Sequence, residues 1–107
     1  MGNFSFIHMA DPQFGLFADS SGKSPEEIAS FAARGLMVRP AAKFDGLGPE
    51  TELFTKAIAA ANTLAPKFVV VCGDIVNSAG NRDQIRTAKR IADELDNGID
   101  LHWVAGN

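Results

Sequence analysis

Phe68-Val69-Val70-Val71-Cys72-Gly73-Asp74 is the stretch on which the fold turns. Five apolar residues follow one another without the alternation of a half-wet strand, and three of them are β-branched valines. A run of this kind reads as the central strand of a parallel sheet, covered on both faces. Gly73 then lets the backbone turn, and Asp74 stands directly behind it. A carboxylate beside a fully apolar strand is costly without a partner, which makes Asp74 the first residue to examine for chemistry.

On the N-terminal side of this strand, Pro49 opens a helix with Glu50 and Glu52 near its positive end. Leu53, Phe54, Ala57, Ile58, Ala61, Leu64 and Ala65 recur at helical spacing, and Pro66 stops the element. On the C-terminal side, the pattern predicts a helix over Asp83 to Asn97, with Ile85, Ala88, Ile91, Ala92 and Leu95 inward and Gly98 as its stop. Leu101 to Ala105 reads as another strand, and so does Phe4 to Met9, which Pro12 closes off. Between them, residues 15–48 form an inserted loop with one short helix. Ser24-Pro25-Glu26-Glu27 starts that helix with a capping box, Ile28, Phe31 and Ala32 share a face, and Gly35 ends it. The order β-α-β-α-β with one inserted helix is an α/β fold with a mainly parallel sheet and right-handed crossovers. No internal domain boundary is visible within residues 1–107.

Composition narrows the class. The chain has 107 residues, 46% hydrophobic, with a net charge of −3, which excludes whole-chain disorder. Cys72 is the single cysteine, so no internal disulfide can form. The mildly acidic balance argues against nucleic acid as a partner. No apolar run approaches the ~18 residues that span a bilayer, and no secretion signal is evident, so the expected location is the cytoplasm. Ser21-Gly22-Lys23-Ser24 imitates the end of a phosphate-binding loop, but Phe17 stands where that loop needs a glycine. It reads instead as a polar loop running into a helix cap.

Ligands of parallel sheets bind at the carboxyl ends of the strands. Asp11 and Gln13 stand past the first strand, Asp74 past the second and Asn107 past the third. Taken singly, each has a structural reading: a turn cap for Asp11 or Asp74, a surface residue for Gln13, a Gly-Asn turn for Asn107. Hard oxygen donors on three successive strand ends together suit a divalent cation. His8 and His102 fall within strands, away from that edge, and read as structural. Cys72 reads as a buried small hydrophobe, and Arg82, Arg86, Lys89 and Arg90 as a solvated helix face. Phe14 and Phe17 are candidates to shape access to the edge.

Met9-Ala10-Asp11-Pro12-Gln13-Phe14-Gly15, then Cys72-Gly73-Asp74, then Ala105-Gly106-Asn107 resembles the calcineurin-like metallophosphoesterase family. Within it, the first block is similar to the calcineurin-like phosphoesterase domain-containing serine/threonine phosphatases. The resemblance implies the first half of an αββα sandwich and hydrolysis of a phosphate ester at a centre of two divalent metal ions (Mn, Fe, Zn or Mg). Asp11 and Gln13 would hold one metal, Asp74 would bridge both, and Asn107 would ligate the second and meet the substrate, a phosphoprotein or a small molecule. Asp74 and Asn107 would be the catalytic positions. Two departures stand out: Gln13 replaces the family's histidine, and the sequence stops at Asn107, inside the family's Gly-Asn-His block. The 107 residues by themselves are therefore expected to be inactive. The alternative is a non-catalytic, degenerate α/β binding module. A Rossmann-type nucleotide domain ranks last, since the first turn carries one glycine only.

Overall fold

The structure, a computed structural model, describes residues 3–106; Asn107 lies outside the described residues. Its elements are β1 (Phe6–Ala10), α1 (Leu16–Ser20), α2 (Pro25–Ala33), α3 (Gly48–Leu64), β2 (Phe68–Gly73), α4 (Arg82–Ala92) and β3 (Asp100–Ala105). The strands form one sheet in the order β1-β2-β3, and both pairings are parallel. Phe6 pairs with Phe68 and Ala10 with Cys72, while Phe68 pairs with Asp100 and Gly73 with Ala105. This is the expected α/β arrangement, with the valine run at its centre.

Alternation along the strands sets the two faces apart. Val69 and Val71 are fully buried and join Phe54, Ile58 and Ala61 of α3 and Ala88 and Ile91 of α4 in one core. Ile7 and Met9 pack against it from β1, and Leu101 from β3. The other face carries Phe6, His8, Val70, Cys72, His102 and Val104, and Phe6 and Val104 are about half exposed. Phe6 stacks on Phe68 at 5.0 Å, and His102 meets Phe68 edge-on at 5.7 Å. The cover expected on both faces of β2 is thus present on one: among the described residues, α3 and α4 supply the core on a single side. Cys72 is accordingly half-buried rather than sealed in.

Helix ends follow local chemistry. Ser24 caps α2: its hydroxyl accepts the Glu27 N–H at 3.1 Å, and the Glu27 carboxylate accepts the Ser24 N–H at 2.7 Å. The Ser24 backbone bond, first among the causes, holds the Glu27 carboxyl below its usual range. Gly35, at φ 79°, closes the helix, with its N–H donated to the Ala32 carbonyl and that of Leu36 to Phe31. Helix α4 departs from expectation, stopping at Ala92 instead of Asn97. The reason is Asn62 on α3. Its amide donates to the Glu94 carbonyl at 3.0 Å and accepts the Asp96 N–H at 2.7 Å, drawing the chain off the helical path. Leu95 still reaches the core.

Residues 22–46 form an arm. Helix α2 within it has no buried residue, and Met37 is 94% exposed. The radius of gyration is 16.5 Å, against about 13 Å for a compact chain of this length. Ser21 closes the base of the arm: its hydroxyl accepts the Phe44 N–H at 2.8 Å and donates to the Ala18 carbonyl at 3.0 Å. No helix among the described residues is long and apolar enough to cross a membrane.

Truncation of Ile91, fully buried between α4 and the sheet, is expected to cost about 2–5 kcal/mol as Ile91→Ala. Met37→Ala should change stability by less than about 0.5 kcal/mol. Urea midpoints measure both, and equal midpoints would contradict this assignment of core and arm.

Candidate functional site

The loops that leave β1 and β2 at their carboxyl ends continue to hold one another. The Asp11 N–H donates to the Cys72 carbonyl at 2.9 Å, Gln13 to Asp74 at 3.0 Å and Phe14 to Ile75 at 3.1 Å. Asn77 donates back to the Phe14 carbonyl at 2.9 Å. Asp11 and Gln13 reach these positions with φ of 51° and 43°, a left-handed conformation that side chains other than glycine rarely adopt. Such residues cost about 1–3 kcal/mol each and gather at functional sites. Phe14 anchors the loop: it is fully buried and meets Phe54 edge-on at 5.7 Å. Phe14 is therefore core, not a gate; Phe17, 48% exposed, remains at the cleft.

Three of the expected ligand positions share this edge. The Asp11 carboxylate accepts the Asp74 N–H at 3.0 Å through Oδ1. A side chain at Gly73, φ 85°, would collide with that carboxylate, and one at Gly106 would collide with Asp74 Oδ1. The two glycines thus leave the room in which Asp11 and Asp74 approach each other. Gln13 lines the same cleft as Asp11. Asn107 lies outside the described residues. Among the described residues, no group of three or more His, Cys, Asp or Glu side chains stands together as a metal cage. The donor chemistry nonetheless fits a hard cation: Asp11 and Asp74 carry carboxylates and Gln13 an amide, and no lysine, arginine or histidine lines the cleft that Asp11 and Gln13 share. His8 and His102 sit mid-strand, both in register with Val70.

Two parts of the surroundings escape a reading of the sequence. Helix α1 is too short for a periodic signal, yet Asp19 near its end ties it to the loop after β2. The Asp19 carboxylate accepts from Asn77 Nδ2 at 2.7 Å, Ser78 Oγ at 3.1 Å and Gln84 Nε2 at 3.4 Å. The Asn77 bond, chief among the causes, holds the Asp19 carboxyl below its usual value. Gly15 is necessary here because any side chain would strike Gln84. The second is Glu50. Its place near a helix start accounts for the helix dipole but not for its burial, and its Oε1 accepts the Phe17 N–H of α1 at 3.1 Å. Arg82, Arg86, Lys89 and Arg90 stand exposed on α4, as expected.

Fold and edge together have the form of a partial phosphoesterase sandwich, with its acidic residues at the carboxyl ends of parallel strands. Comparison with known proteins makes this specific: the chain is homologous to the calcineurin-like phosphoesterase-domain phosphatases. It is 35% identical over 112 residues to the serine/threonine-protein phosphatase CPPED1 of Rattus norvegicus. It is 34% identical over 113 residues to that of Mus musculus and 30% over 119 residues to that of Homo sapiens. Each alignment covers 99% of this chain but 31% of the relative, so the chain spans about a third of the length of the curated relatives it matches. No family model matches the chain, and no solved structure matches it significantly.

Because its carboxyl is lowered in the folded state, Asp19 contributes stability above the ordinary aspartate value of 3.8. That contribution is lost as pH falls through the lowered folded value. Asp19→Asn should therefore reduce the urea midpoint at pH 6 and converge with the parent in strong acid. A deficit that is constant with pH would overturn the assignment. Gly73→Ala should destabilise the protein by more than the ordinary glycine effect of about 1 kcal/mol, since the new methyl meets Asp11.

Proposed function

We propose that this chain carries part of the catalytic edge of a metal-dependent phosphoesterase, acting on phosphate esters of proteins or small molecules. One observation carries the proposal. Asp11 and Asp74 are brought together at the strand ends by a hydrogen bond and two glycines, in backbone that is strained at Asp11 and Gln13. The homology to serine/threonine phosphatases supports the same reading.

In this reading Asp11 and Gln13 would hold one divalent ion, Asp74 would serve both, and Asn107 would serve the second ion and the substrate. Bound there, the ions would neutralise charge on the phosphoryl oxygens and make a water acidic enough to attack near neutral pH. The chain's own contribution is placement. The ladder from Asp11 to Phe14 fixes the backbone that bears both carboxylates before any ligand arrives, so little reorganisation of the chain is needed on binding. Gln13 supplies a neutral oxygen where an imidazole would supply nitrogen, which favours Mn or Mg over Zn at that position.

In the protein that carries this chain, Asp74→Asn should lower metal-dependent hydrolysis of p-nitrophenyl phosphate at least 100-fold, and chelation with EDTA should abolish it reversibly. Turnover unchanged by both treatments would refute the phosphoesterase assignment. Gln13→His should shift the metal preference towards Zn in the same assay.

A further inference from the structure

The cleft between α1 and α3 holds a buried carboxylate oxygen whose role the phosphoesterase reading does not explain. Glu50 is 4% exposed. Its Oε1 accepts the Phe17 N–H, whereas Oε2 has no hydrogen-bond partner among the described residues. Glu50 lines a cleft of about 300 Å³ together with Asp11, and the remaining walls are largely apolar, with Leu16, Phe17, Leu53 and Phe54 among them. That size stands at the lower end of ligand pockets. No cationic side chain lines the cleft, and Glu50 takes part in no ion pair among the described residues. A buried carboxylate oxygen left without a donor is strongly unfavourable, so the site is built for a donor that the described chain does not supply.

We infer that this cleft receives an organic cation, an ammonium or guanidinium on an apolar stem, which pairs with the Glu50 carboxylate beside the phosphoester site. The inference rests on the phosphoesterase reading for its position next to the reacting group, and on charge and shape for its ligand. The Glu50 carboxylate attracts a cation, and a charged hydrogen bond inside an apolar cleft is stronger than one in water. Phe17 and Leu53, which line the cleft and are 48% and 63% exposed, offer surface for a methylene stem. The same chemistry can come from a basic side chain near a phosphorylated residue or from a free amine carrying a phosphate ester.

The test uses n-butylguanidinium followed by amide chemical shifts. Saturable shifts are expected at Phe17 and Leu53, weakened at least 10-fold in Glu50→Gln, which keeps an amide oxygen for the Phe17 N–H. Leu53→Lys, a change at an exposed rim position, should block the probe by placing a cation at the cleft and serves if Glu50→Gln does not fold. Shifts elsewhere, or equal affinity in both variants, would overturn the inference. Phosphoserine peptides bearing arginine or citrulline next to the phosphoserine distinguish the sources. A KM about 10-fold lower for the arginine peptide assigns the cleft to peptides; equal KM values with n-butylguanidinium still bound assign it to free amines. If p-nitrophenyl phosphate is not hydrolysed at all, the phosphoesterase reading fails, while the binding arm still decides the cleft.

Discussion

The hydrogen bond from the Asp74 N–H to the Asp11 carboxylate joins the two loops on which the edge is built. It crosses 63 residues of sequence. It forms only because Gly73 has no side chain, and because Asp11 accepts a left-handed backbone. The backbone bonds from Asp11 to Cys72 and from Gln13 to Asp74 hold that geometry from both sides. Strain and space are thus placed together, and the fully buried Phe14 ring secures the loop that bears both.

Much of this was legible in the chain. The valine run gave the central strand, and the residues after each strand marked the edge, because a parallel sheet puts all its carboxyl ends together. The capping box of Ser24 and the glycine stop at Gly35 are purely local signals and were readable for that reason. What was not legible depends on distant partners. The early end of α4 is set by Asn62, more than thirty residues away, so no local pattern could announce it. Continuous apolarity in β2 does not reveal whether a second layer stands on the other face, since the unbroken run is the same in either case.

The candidate site divides along the same line. Asp11, Gln13 and Asp74 were found through their order on successive strands, and their meeting is a consequence of topology. Glu50 stands at the positive helix end as its sequence position implies, but that position does not reveal its burial. Its burial comes from α1, a helix of five residues with no periodic signature. Asp19 was invisible for a related reason: its three side-chain donors come from the loop after β2 and from α4.

The arm over residues 22–46 has a consequence for how the chain tolerates change. Its base is already shut by Ser21 with Phe44, and by the Gly22 N–H on the Ala41 carbonyl at 3.0 Å. The ends of the segment therefore stay together whatever lies between them. Loop-closure entropy grows only with the logarithm of length, so doubling such a segment costs about 0.6 kcal/mol. Insertions or deletions between the two closing bonds would leave Gln13 on one side and Pro49 on the other where they are. The arm is the part of this molecule whose length is nearly free to drift, while even a single methyl at Gly73 would meet the Asp11 carboxylate.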